Sequence, residues 1–184
     1  RLVYENRIRL GIKLRPPGDL NYSLMIVILH NIRSLHNVGS IFRTADAAGV
    51  EKIYLCGITP KPIDELGRSR QQLTKVSLSA EKYIKWEYIK NTNRLIDKLK
   101  KERYKIFAIE QSKKSIPYYS LKVKNYKLKV ALVVGNEVKG LPKSILNKAD
   151  KILEIPMYGK KESLNVAVAF GIIVFYLINA LRRR

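Results

Sequence analysis

"KVALVVGNEVKGLPKSILNKA", residues 129–149, contains a complete structural unit. The apolar run within 129–135 is short and continuous, the pattern of a strand buried on both faces. It ends at Gly135, polar residues follow, and a second glycine stands at Gly140. Pro142 then opens a short helical segment, a position where its missing N–H is not needed. Strand, glycine-bracketed turn and helix repeat in both directions from here. "LMIVILH" (24–30), "KIYLCG" (52–57), "KIFAIE" (105–110) and "KILEIP" (151–156) read as further strands, the last of these ending the strand series. "NVGSIFRTADAAG" (37–49) reads as a helix with Asn37 as N-cap and Gly49 as its stop. "NRLIDKLKKERY" (93–104) is an amphipathic helix, and a final helix runs from about Ser163 to the terminal arginines. This alternation predicts an α/β fold, a mostly parallel sheet flanked by helices on both faces. Residues 1–20 form a basic N-terminal extension, and 21–184 form one domain. Between Thr59 and Gln72, two prolines, Gly67, Arg68 and Arg70 mark an exposed basic loop.

Charge narrows the partners. The 184 residues carry 36 Lys and Arg against 15 Asp and Glu, a formal net of +21. A field of that sign attracts polyanions, nucleic acid first. Arg33, Arg68, Arg70, Lys75, Lys113 and Lys114 are candidates for phosphate contacts, which position RNA without reading its sequence. The single Cys56 forms no internal disulfide and no metal cluster, and it fits a reducing, cytoplasmic setting. No signal peptide is evident, and Val166–Ile178 is 13 apolar residues, short of the ~20 that span a bilayer. A helix apolar on every side is expected to pack against both the sheet and something else, a partner subunit foremost.

The turn at 135–142 fails the test for a phosphate loop. G-x-x-x-x-G-K-[ST] needs Lys and Ser directly after the second glycine, whereas Leu141 and Pro142 push Lys143 and Ser144 two positions along. Pro142 also lacks the N–H that such a cradle uses. Two other segments carry polar groups in unusual company. Arg43 sits among small and apolar residues, where a surface pair with Asp46 is the plain alternative. Ser163 and Asn165 stand at the mouth of the most apolar helix, where capping is the plain alternative. His30, His36 and Trp86 are read as structural or peripheral, since nothing pairs them with a base, a metal or an aromatic platform.

Together the three segments resemble the SpoU (TrmH) class of SPOUT RNA 2′-O-ribose methyltransferases. The resemblance rests on Asn37, Gly39, Arg43, Thr44 and Ala45, then on Gly135, Asn136, Glu137, Gly140 and Leu141. It continues through Ile155, Pro156, Met157, Gly159, Ser163, Leu164 and Asn165, in order, and spans about residues 24–180. It implies S-adenosylmethionine as donor and S-adenosylhomocysteine as product, with tRNA or rRNA as acceptor and no metal. It also implies a deep trefoil knot in the C-terminal third, which general topology rules alone would forbid, and a homodimer packed through the last helix. Asn37, Arg43, Glu137, Ser163 and Asn165 are the catalytic set it implies. Ile109, Gly135, Asn136, Ile155, Met157 and Leu164 are the implied cofactor cradle. Because a free guanidinium stays protonated, Arg43 is assigned to the adjacent phosphate and the nucleophile, with the base unassigned. A non-catalytic RNA-binding or ribosome-assembly factor on the same fold is the competing reading. Retention of Arg43, Glu137, Ser163 and Asn165 argues against it.

Overall fold

The structure, a computed structural model, describes residues 25–123 and 128–182. The basic extension at 1–20 lies outside the described residues. Strands β1 (Met25–His30), β2 (Lys52–Cys56), β3 (Lys85–Ile89), β4 (Lys105–Ile109), β5 (Ile116–Pro117), β6 (Val130–Val134) and β7 (Lys151–Glu154) form one sheet. Its order is β3-β2-β1-β6-β4-β7-β5, and every pairing is parallel. Leu132 of β6 pairs with Val27 on one side and Phe107 on the other, at the centre of the sheet.

Helices α1 (Leu35–Ala48), α2 (Gln71–Ser77), α3 (Ala80–Tyr83), α4 (Thr92–Lys101), α5 (Lys143–Leu146) and α6 (Val166–Arg182) cover it. Alternate residues of each central strand belong to different cores, which is why these strands read as unbroken apolar runs. Val27, Leu29, Leu132 and Val134 pack with Ile41 and Phe42 of α1 and with Phe170 and Val174 of α6. Ile26, Ile28, Ala131 and Val133 face the other way, onto Leu95, Ile96 and Leu99 of α4 and Ile145 of α5.

Several expectations are corrected. The N-cap of α1 is Ser34, whose Oγ accepts the Asn37 N–H at 3.3 Å, so Asn37 stands inside the first turn with its amide free for other work. The stop at Gly49 holds, with φ 75° and its N–H on Ala45 and Asp46 carbonyls. The basic loop ends at Arg70, because Gln71 already opens α2. Helix α6 begins at Val166, past Ser163. It also buries only part of its circumference here, since Val168 and Phe175 are exposed. None of the described helices is long and apolar enough to cross a membrane.

Helix α1 lies close against α2. A Cβ on Gly39 would stand 2.5 Å from the Leu73 carbonyl oxygen and 3.1 Å from the Val76 Cβ. Gly39→Val is therefore expected to cost about 1–3 kcal/mol by overpacking. At about 2–4 °C per kcal/mol for a chain of this size, a thermal melt resolves the change.

Candidate active site

A cavity of about 360 Å³ opens at the C-terminal ends of β4, β6 and β7, beside the start of α6. Such ends are where open parallel sheets place ligands. Ile109 ends β4 and Gly135 follows β6, and both line the cavity. Asn136, Ile155, Met157 and Leu164 line it as well, so the six residues of the implied cradle come together. Asn37, Glu137, Ser163 and Asn165 share the same wall, although they lie up to 128 positions apart. Arg43 does not line the cavity. It is exposed on α1, six residues past Asn37 and so about 9 Å further along the axis. Among the described residues it makes no ion pair, so the surface pair with Asp46 does not form.

Glu137 organises this wall. Its Oε1 accepts the Ser34 N–H and the Asn37 Nδ2–H, each at 3.0 Å, and its Oε2 accepts the Arg33 N–H at 3.0 Å. Asn165 Nδ2 donates to Asn37 Oδ1 at 3.0 Å, and Asn165 Oδ1 accepts the Ala167 N–H at 2.9 Å. Asn165 therefore caps the opening of α6, the plain alternative for it, and also lines the cavity. Partial burial pushes the Glu137 carboxyl up. The Arg33 N–H, Asn37 amide and Ser34 N–H outweigh that and hold it below the ordinary glutamate value. A depressed folded-state value contributes stability above the unfolded value and loses it as pH falls through the folded one. Thermal melts from about pH 6 to about pH 3 should show wild type losing more stability than Glu137→Gln, with the two converging at the acid end.

The turn itself is fastened to its neighbours. Asn136 Nδ2 donates to the Asn31 carbonyl at 2.6 Å, while its Oδ1 accepts the Val138 and Lys139 N–H groups at 3.0 and 2.9 Å. Sequence reasoning missed Glu110, which lines the cavity and accepts the Leu141 N–H at 2.6 Å. Its position directly after an apolar strand was the available signal. Gly140 needs its glycine for φ 61°, and a Cβ there would also displace the Glu110 carboxylate.

The other candidates stand apart from the cavity lining. Arg33, Arg68 with Arg70, and Lys113 with Lys114 lie in the segments that follow β1, β2 and β4 respectively. Lys75 lies within α2, in its last turn. Arg68 pairs with Asp64 at 3.1 Å, and the Arg70 Nε is buried without a hydrogen-bond partner among the described residues. His30 is fully engaged, accepting from Asn31 Nδ2 at Nε2 and meeting Thr92 Oγ1 at 2.8 Å through Nδ1. Burial lowers its pKa from the ordinary histidine value, favouring the neutral ring. His36 is exposed, and Trp86 is half-buried in the edge strand β3. Cys56 is buried, and burial pushes its thiol up to about 11, partly offset by Thr92, which disfavours the thiolate. Among the described residues no three potential metal ligands cluster.

Residues 24–175 match the SpoU rRNA Methylase family. The chain is 33% identical over 177 residues to a tRNA (guanosine(18)-2′-O)-methyltransferase of Aquifex aeolicus, covering 95% of itself and 76% of that relative. The crystal structure of the A. aeolicus TrmH/SpoU tRNA modifying enzyme superposes with a TM-score of 0.72 at 28% identity, over 97% of this chain and 83% of that one. The AdoMet-bound rRNA methyltransferase from Sinorhizobium meliloti gives a TM-score of 0.74 at 29% identity, over 89% of this chain. There the chain spans only 60% of the neighbour's length. With a match over most of its length and residues of the three sequence motifs lining one cavity, the chain belongs to the SpoU rRNA Methylase family.

Proposed function

We propose that the chain is an S-adenosylmethionine-dependent methyltransferase that modifies a ribose 2′-hydroxyl in tRNA or rRNA. The observation that carries this reading is the Glu137 carboxylate, which draws the first motif (Asn37) and, through it, the third (Asn165) onto the second, at one cavity. The names of the relatives supply the reaction, and the AdoMet-bound neighbour supplies the donor.

The cavity suits that donor. Ile109, Leu153, Ile155 and Leu164 offer apolar surface for an adenine, and polar groups line the cavity both at the Asn37–Glu137 side and beside that surface, at Glu110, Gln111 and Glu154. When bound, S-adenosylmethionine supplies an electrophilic methyl group on a sulfonium. What the chain contributes is position. Asn37 and Asn165 hold one another in a fixed orientation at the rim, where a ribose hydroxyl would approach. Glu137, with its oxygens occupied by three N–H donors and its pKa lowered, holds a proton poorly and is a positioning residue rather than the base. Ser163 is an exposed hydroxyl at the mouth, and Arg43 is an exposed guanidinium, without an ion pair among the described residues, that grips the phosphate next to the target nucleotide.

The same reading assigns residues 21–184 to the catalytic domain and the segments around 135–142 and 155–165 to a deep trefoil knot. Supporting the knot, β6 enters between β1 and β4, and both segments border one cavity. It also assigns a homodimer packed on α6, whose exposed Val168 and Phe175 stand seven residues apart on one helical stripe.

The test is transfer from labelled S-adenosylmethionine to unmodified total tRNA and rRNA. Label in alkali-resistant dinucleotides supports ribose methylation, and label on the bases overturns it. Affinity for the same RNA should fall steeply with salt. About six phosphate contacts would weaken binding by about 10³-fold between about 50 and about 200 mM. Filter binding across that range checks the number.

A further inference from the structure

A second cavity, of about 480 Å³, lies on the other side of the 136–140 turn. Asn136, Val138 and Gly140 line both cavities, so this single turn is the partition between them. The second cavity opens where β1 and β2 end, with Arg33 and Lys139 on its lining.

Two of its lining residues are apolar and conspicuously exposed, Ile58 at 66% and Val138 at 79%. Neither sits on slack backbone. The Ile58 N–H donates to Asn31 Oδ1 at 3.0 Å, and the preceding carbonyl, of Gly57, accepts the Tyr88 hydroxyl at 2.8 Å. The Val138 and Lys139 N–H groups are both held by Asn136. Exposed aliphatic side chains on pinned backbone form a pre-organised apolar surface, and pre-organisation lowers the entropy lost on binding.

The polar groups of this cavity are largely spent on the protein itself. His30 uses both ring nitrogens, Asn31 uses its side-chain oxygen and one amide hydrogen, and Asn136 is engaged at both ends. A ligand here is therefore gripped by apolar contact and by cations, with little hydrogen-bond reading of its edges. An unstacked nucleobase with its phosphate has that chemistry, since every base offers the same apolar faces.

We propose that this second cavity holds one unstacked nucleotide of the RNA substrate, its base against Ile58 and Val138 and its phosphate on Arg33 and Lys139. The site deepens the reading above and rests on RNA being the substrate. The Glu137 carboxylate links the two cavities, because it seats the Arg33 backbone on one side and Asn37 on the other. A nucleotide docked in the second cavity thus brings its ribose, or its neighbour's, to the rim of the first.

The test uses the full chain and transcribed tRNA and rRNA carrying 4-thiouridine, irradiated and mapped by peptide mass. Crosslinks in the peptides containing Ile58 or Val138 are expected, and this readout needs no turnover. In parallel, Ile58→Asp and Lys139→Glu should each raise the KM for RNA by about tenfold and leave S-adenosylmethionine affinity within about twofold. Both side chains are exposed, so neither variant threatens the fold. Ribose methylation by wild type with crosslinks elsewhere, or with KM unmoved in both variants, overturns the nucleotide site and spares the function. Crosslinks at the site without any ribose methylation overturn the function and keep the site.

Discussion

Arg43→Ala is expected to lower methyl transfer by about 10²–10³-fold, the range seen when one donor that stabilises developing charge is removed. S-adenosylmethionine affinity should stay unchanged, because Arg43 does not line the cavity formed by the Gly135 turn and the 155–165 segment. The split follows from placement. Arg43 is exposed on α1, without an ion pair among the described residues, while the groups around the cavity are held by hydrogen bonds. An arginine kept free in that way retains its full fork of N–H donors for a phosphate. Arg43→Lys should rescue little, since a point charge does not replace two parallel hydrogen bonds. Single-turnover rates with calorimetric cofactor binding separate the two effects. Equal loss of binding and turnover in Arg43→Ala would show that the residue supports the cofactor site instead.

The central strands were legible because each is buried on both faces and therefore apolar without interruption. Strand β3 was not, because an edge strand reading "KWEYI" buries none of its side chains fully. The two-residue β5 carries too little sequence for any periodic signal. Helices α2 and α3 were hidden for a different reason. Each is a short helix without a side-chain cap, and they meet through Leu78 and Ser79, both in the left-handed region. Asn37 was misread as the cap since Asn and Ser are both good caps, and only the backbone at Ser34 decides between them. The polar residues of the site were individually visible but not their partners. That Asn165 reaches Asn37, and Asn37 reaches Glu137, depends on pairings across 128 and 100 positions. Glu110 escaped notice for the same reason, its role being set by Gly140 and Leu141, some thirty residues away.

The glycines of the motifs look equivalent as letters, and the structure separates them. Gly135→Ala is expected to weaken S-adenosylmethionine binding severely, whereas Gly159→Ala should be silent. A Cβ on Gly135 would stand 2.7 Å from the Gly140 carbonyl carbon, 2.9 Å from its oxygen and 2.8 Å from the Leu141 Cγ. Two of those three atoms are backbone, so no side-chain rotation relieves the clash. The 140–141 segment must move out, and it is held in place by the Gly140 N–H on the Asn136 carbonyl at 2.9 Å and by Leu141 on Glu110. Both of those bonds border the cavity, so the strain falls on the cradle itself. An overpacking cost of about 1–3 kcal/mol that falls wholly on the bound state, at about 1.4 kcal/mol per tenfold, corresponds to about a five- to 140-fold loss of affinity. Around Gly159 a Cβ meets nothing within 4 Å, and its φ is not in the left-handed region. Calorimetric titration of both variants with S-adenosylmethionine, beside thermal melts, makes the comparison internal. Gly135→Ala binding like wild type would mean that the turn can open at no cost, and the 135–142 segment would then lose its claim to shape the cofactor site.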